Sequence, residues 1–318
     1  MSYAVLFPGQ GSQSVGMGGD LFAVHPAVLG DAANDILGWD LAALCREGPE
    51  EELVRTDRAQ PALYAVAFAL WEAFRRQAPG LPAAAAGHSL GEYTALAAAG
   101  ALDYREGLRL VAARGAAMAD AANEAASGMA ALLGIDIAQA EAICGERRDA
   151  GGELWVANDN APGQIVVAGG AADLDWLGEI GRSRGVRRVI RLKVAGAFHS
   201  PFMAGAASAL ASAIAETEFG TPAFPVWANA TAAPHGDVPA SLVAQLTAPV
   251  RFAESLVAMR ATGITAFVHI GPGDVTAGMA RRTLPPNVEV FTVSAESDIS
   301  AVCEALSVHS TGPEGGRP

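Results

Sequence analysis

The 318-residue sequence predicts an α/β fold on a mainly parallel sheet, with a smaller β-α-β-β-α-β unit set into the larger body. Three observations predict it. Strand-like apolar runs alternate with helix-period segments along most of the chain. The region from Gly128 to about Val194 packs four short strands and two helices in the order of a split βαβ, ferredoxin-like unit. Gly87-His88-Ser89-Leu90-Gly91 has the G-x-S-x-G spacing of a sharp strand-to-helix turn, in which small residues let the chains pass closely.

Composition narrows the class. Hydrophobic residues make up 51% and charged residues 17%, enough for a sizeable core. Mean hydropathy is +0.26, but alanine supplies much of it. No stretch approaches the ~18–20 apolar residues of a membrane span, so no membrane partner is expected. The start of the chain lacks a basic segment followed by a long apolar run, so no secretory leader is expected. Cys45, Cys144 and Cys303 are far apart and lack metal-ligand spacing. They read as reduced thiols of a cytoplasmic protein with no metal site. A net charge of −13 argues against nucleic acid as a partner.

The elements follow in order. Ala4–Phe7 reads as a first strand running into the turn Pro8-Gly9-Gln10-Gly11-Ser12-Gln13. Asp57–Arg76 is a helix with Leu63, Val66, Ala67, Leu70 and Phe74 on one face. Ala83–Ala86 is a short buried strand before the elbow, and Glu92–Ala99 a helix ended by Gly100. Tyr104–Ala126 is a long alanine-rich helix. In the inserted unit, Met129–Ile135 is a strand and Ile137–Arg147 a helix. Trp155–Asn158 is a strand joined by Asn160–Gly163 to Gln164–Ala168. Ala171–Ser183 is a helix and Val186–Val194 the last strand. The larger body resumes with helix Pro201–Glu216, strand Pro225–Asn229, a helix near Leu242–Gln245 and strand Ala266–Ile270. The expected division is 1–126 and 196–306 for the large subdomain, 127–195 for the small one, and a polar, disordered tail over 307–318.

Ser89 is the candidate nucleophile, and the following helix aims its free amides at it. The same pentapeptide also reads as a plain strand–turn–helix junction. A serine nucleophile needs a base. His199, in Gly196-Ala197-Phe198-His199-Ser200-Pro201, lies at a loop–helix junction. His269 in its apolar strand reads as a core histidine, His88 as structural, His235 as part of a Pro/Gly turn, and His309 as part of the tail. Arg182–Lys193 holds six cations and no acid, including Arg182, Arg184, Arg187 and Arg188. It reads either as a solvated strand and loop or as a patch for an anionic partner.

Five motifs together resemble the malonyl-CoA:acyl carrier protein transacylase family. They are Phe7–Gln13, Gly87–Tyr93, Arg114-Gly115, Gly196–Pro201 and Gln245–Val250, and the resemblance runs from residue 4 to about residue 293. It implies an α/β-hydrolase-like large subdomain with the ferredoxin-like unit inserted. It also implies a ping-pong acyltransferase with no tightly bound cofactor, a CoA thioester as substrate, an acyl carrier protein as partner, and a monomer. Ser89 and His199 would be the catalytic pair, with a backbone carbonyl near Gln245 in place of an acid. The amides of Gln10 and Leu90 would form the oxyanion hole. Arg114, Phe198, Asn160 and Gln245 would bind substrate, with Asn160 and Gln164 in a loop lining the cleft, and Arg114 would receive a free carboxylate. Arg182, Arg184, Arg187 and Arg188 are candidates for carrier or CoA docking. Two residues depart from the family pattern: Asp274 stands where a basic residue is usual, and His269 where an acid is common. Alternatives within the same fold are a carrier-to-carrier transferase of a larger acyl group and an editing acyl hydrolase. A non-catalytic carrier-binding module and an ordinary esterase with a Ser…Asp…His order fit less of the sequence.

Overall fold

The computed structural model describes residues 1–308. Two sheets organise it. The larger has six strands in the order β11-β10-β1-β2-β7-β8. Its strands are β1 (Tyr3–Phe7), β2 (Ala84–Gly87), β7 (Val226–Ala228), β8 (Ala233–Pro234), β10 (Ala266–Ile270) and β11 (Glu289–Val293). All its pairings are parallel except the β7–β8 edge. Parallel strands covered on both faces need continuous apolar runs. Accordingly, β1, β2 and β10 are buried at every residue.

The smaller sheet contains β3 (Ser127–Leu133), β4 (Leu154–Ala161), β5 (Gln164–Gly170), β6 (Arg188–Arg191) and β9 (Val250–Arg251). Its order is β6-β3-β5-β4-β9. The first four strands follow the ferredoxin-like arrangement, antiparallel throughout. The fifth does not come from residues 127–195. β9 pairs parallel with the end of β4, Asn158 opposite Val250, and so ties the small sheet to the chain of the larger body.

The expected fold class stands, and several element edges move. The connection at Asn160–Gly163 is only Pro162-Gly163, because Asn160 and Ala161 belong to β4. Asn160 and Gln164 are therefore strand residues, not loop residues. The final strand of the unit covers Arg188–Arg191 alone, and its helix stops at Ile180 before a 3-10 turn over Gly181–Arg184. Ser307 and Val308, expected in a disordered tail, close the helix Ile299–Val308. Residues 309–318, His309 included, lie outside the described residues. The helices Phe252–Ala261 and Val275–Thr283, the strand β11, and a run of short helices between Leu21 and Leu53 were not expected.

The helices Thr56–Arg75 and Tyr104–Glu124 pack tightly side by side. Gly115 permits this: a Cβ there would sit 2.8 Å from the carbonyl oxygen of Thr56. That close approach turns the preceding residue, Arg114, inward, and it is 1% exposed.

Candidate active site

Ser89 sits at φ +51°, a left-handed backbone that non-glycine residues rarely adopt. The turn requires glycine on both sides. A Cβ on Gly87 would lie 1.8 Å from the carbonyl carbon of Gly91, and one on Gly91 would lie 2.3 Å from the oxygen of Phe7. The G-x-S-x-G spacing is thus a steric condition for threading the elbow between β1 and its own helix, Gly91–Ala98.

The Ser89 Oγ lies 2.7 Å from His199 Nε2. His199 Nδ1 lies 2.9 Å from the backbone oxygen of Gln245. A carbonyl can only accept, so Nδ1 carries the hydrogen, and the Nε2 lone pair faces the serine. His199 also has a left-handed backbone, φ +56°. Burial, joined by the nearby Arg114 charge, pushes its pKa down to about 3 against the pull of the Gln245 carbonyl. The imidazole is therefore neutral at physiological pH, as a general base must be.

Arg114 is buried and stands beside the nucleophile. Its guanidinium donates to Ser89 Oγ at 3.0 Å, to Gln60 Oε1 at 2.7 Å and to Gln245 Oε1 at 3.0 Å, and packs 5.5 Å from the centre of the Tyr93 ring. Burial lowers its pKa, while Tyr93 and Glu92 work against the shift. Among the described residues no carboxylate forms an ion pair with it, and its Nε has no partner. A buried cation held only by neutral amides and a hydroxyl is set to receive an anion.

These groups open onto a cleft of about 240 Å³. Gln10, Ser89, Leu90 and Arg114 line one side, and Met129, Asn158, Asn160 and Val166 of the small sheet line the other. Phe198, His199 and Lys193 complete it. Among the described residues, the backbone amides of Gln10 and Leu90 donate to no protein acceptor and remain free for a ligand. Asn160 reaches the cleft, and its Oδ1 lies 2.7 Å from His88 Nε2. His88, read as structural, holds β4 to the elbow and also lines the cleft. Gln164 does not line it and bonds Arg282 instead. Gln245 is also not a lining residue. It is 1% exposed and stands behind the pair, donating from Nε2 to Ser89 O at 3.0 Å and to Glu92 Oε2 at 2.8 Å.

Arg182, Arg184, Arg187 and Arg188 are exposed and lie outside the cleft lining. Arg184 is paired with Glu146, and Arg191 with Asp175. From the basic run, only Lys193 reaches the cleft. His269 is fully buried, 2.5 Å from Thr276 Oγ1 and 3.0 Å from Gly271 O, a satisfied core residue.

The sequence reading missed Gln60, Glu92, Asn229 and His235. Asn229 takes the Ser89 amide at 2.7 Å and donates to Gly87 O at 2.7 Å, bracing the elbow from β7. Glu92 is 0% exposed. Its place in the first turn of a helix gave a signal, since an acid there complements the helix dipole. The other three meet the site only through tertiary folding.

The arrangement brings together a serine hydroxyl, a neutral imidazole whose lone pair faces it, two free backbone amides and a buried cation without a counter-ion. The acyl transferase domain family matches residues 5–297. The chain is 38% identical to malonyl CoA-acyl carrier protein transacylase of Escherichia coli, over 96% of this chain and 99% of that protein. It is 40% identical to polyketide biosynthesis protein ThaF of Burkholderia thailandensis over 99% of this chain, which spans 27% of that longer protein. A solved complex of a type II polyketide synthase acyl carrier protein with its malonyl-transacylase superposes with a TM-score of 0.90 at 35% identity, covering 96% of this chain and 100% of that one.

Proposed function

The chain belongs to the acyl transferase domain family, and on that premise we propose that it moves a malonyl group from CoA to the phosphopantetheine thiol of an acyl carrier protein through an ester on Ser89. The Ser89 Oγ attacks the thioester carbonyl as its proton passes to His199 Nε2. The oxyanion is met by the amides of Gln10 and Leu90. Collapse expels the CoA thiolate, which takes the proton from His199. The carrier thiol then gives its proton to His199 and attacks the ester, and His199 returns that proton to Ser89 Oγ as the serine leaves. Phe198 and Asn160 border the acyl group, and Gln245 orients the base.

The observation that carries this reading is Arg114. Its guanidinium is buried, without an ion-paired carboxylate, and 3.0 Å from the nucleophile. The free carboxylate of malonate supplies the missing anion in bidentate geometry. We take residues 127–195 as the small subdomain forming one wall of the cleft, and the protein as a monomer with no resident cofactor. Among the described residues, no helix is long and apolar enough to cross a membrane. Arg182, Arg187, Arg188 and Lys193 are our candidates for meeting carrier or CoA phosphates, while Arg184 is engaged by Glu146.

Weighing the intact protein after exposure to malonyl-CoA and to acetyl-CoA tests the reading. A malonyl adduct absent from Ser89→Ala, and a much weaker acetyl adduct, are expected. Release of free malonate with no adduct and no transfer to a carrier would make the protein a hydrolase and overturn it.

A further inference from the structure

We propose that His235 is a positioning residue for this reaction, acting through Glu92 to hold the frame that orients His199 and Arg114. The proposal rests on the reading of the site given above. His235 lies just beyond β8, where its backbone amide donates to Val226 O at 2.8 Å. The β7–β8 turn folds it beneath the elbow, with its side chain only 2% exposed. Its Nε2 lies 2.9 Å from Glu92 Oε1, at an angle too poor for a directional hydrogen bond, so the contact is chiefly electrostatic.

Glu92 is the hub. Its Oε2 accepts from the Asn229 amide at 2.9 Å and from Gln245 Nε2 at 2.8 Å. Its Oε1 faces only His235 among the described residues. From Glu92, two arms reach the chemistry. Through Asn229, the frame braces the Ser89 amide. Through Gln245, one residue holds His199 with its backbone oxygen, Ser89 with its amide nitrogen and Arg114 with its amide oxygen. Gln245 thus stands between the buried cation and the buried carboxylate, and its amide is oriented by both.

That orientation depends on Glu92 remaining an acceptor. A carboxylate with an oxygen facing nothing in a dry interior carries a large desolvation cost, which it relieves by turning toward another donor or admitting water. Either change loosens the acceptor that fixes Gln245 Nε2. His235 is what opposes it.

The test compares single-turnover acylation of Ser89 in His235→Leu, His235→Gln, Glu92→Gln and the double variant His235→Leu/Glu92→Gln. His235→Leu should slow acylation by about tenfold to a hundredfold, mainly in the rate at saturating malonyl-CoA. His235→Gln, whose side-chain amide can turn an N–H dipole toward Oε1, should recover part of the rate. The double variant should be no slower than Glu92→Gln alone, because both remove one interaction. If His235→Leu does not fold, His235→Asn, too short to reach Oε1, carries the same expectation. A loss of thermal stability with an unchanged rate, or multiplying effects in the double variant, would overturn the proposal. Labelling of Ser89 by a serine-directed organophosphonate is followed in parallel, since it needs His199 but no malonyl group. A wild-type protein that labels yet takes no malonyl fails the functional reading, while the labelling cycle still decides the role of His235.

Discussion

Arg114 and the arginines of residues 182–191 are the same side chain in opposite settings. Arg114 is 1% exposed, and its partners are two glutamine side chains and a serine hydroxyl. Arg182, Arg184, Arg187, Arg188 and Arg191 lie in water, two of them paired with surface carboxylates. An exposed guanidinium costs little to place, and its ion pairs contribute about 0–1 kcal/mol. A buried one costs several kcal/mol to desolvate. Among the described residues that cost is met at one arginine, beside Ser89. Position in a cluster made the basic run conspicuous in the sequence, yet burial without a counter-ion is the stronger sign of a bound anion.

The largest test of this contrast is Arg114→Met. If the cation serves the substrate, malonyl acylation should fall by about 10²–10³-fold, the scale of losing one partner of a buried charge pair. Acetyl acylation should fall far less, because acetyl has no carboxylate to place. The thermal midpoint of the free protein should change little, since a methionine of similar volume removes the desolvation cost along with the hydrogen bonds. A large drop in stability with equal loss on both acyl groups would instead make Arg114 a structural residue.

A smaller effect concerns His199, whose pKa Arg114 helps lower. Burial is the larger cause and the Arg114 charge the second, giving a value of about 3. The base is already neutral far below pH 6.5, so acylation at limiting malonyl-CoA should show no titration near that pH. At saturation the bound carboxylate offsets the Arg114 charge, and the acidic limb should move upward. The stability consequence has the opposite origin. The unfolded chain takes a proton at the ordinary histidine value while folded His199 does not, so stability falls as pH drops through that value toward 3. His269, lowered to about 4 mainly by burial, adds to the same slope. Rates and urea midpoints measured from pH 5 to 8 check both. An acidic limb near 6.5 at limiting substrate would show that the base is not held as described.

How much of this was legible follows the same division. The alternation of strands and helices, the elbow glycines and His199 could be read because each carries a local signature, whereas Arg114 was read through the family resemblance. For Ser89 the signature was steric, and the distances that Gly87 and Gly91 leave explain it. Asn229 and His235 lie far from Glu92 in the chain and meet it only when β7 pairs with β2 and β8 with β7, so no spacing announced them. Gln245 was expected at the substrate and stands behind the catalytic pair, because one backbone carbonyl does not reveal where its side chain goes. β9 escaped notice for a similar reason. Two residues carry no period, and only the parallel pairing of Asn158 with Val250 makes them a strand.

The smallest expected effect returns to the exposed arginines. Arg187 and Arg188 have no ion-pair partner among the described residues and lie outside the cleft. If they meet an anionic carrier, they act on encounter rather than on chemistry, so their influence is long-range, modest and screened by salt. Arg187→Ala/Arg188→Ala should therefore lower carrier transfer by a few-fold at low salt, about 1 kcal/mol, and leave acylation by malonyl-CoA unchanged. At about 0.5 M salt the difference from wild type should vanish, because the Debye length then falls to a few ångströms. Equal loss of both half-reactions would move these arginines to the CoA side of the exchange. No loss at low salt would return them to an ordinary solvated face and leave Lys193, the one cation of the run that reaches the cleft, as the remaining candidate for the carrier's phosphate.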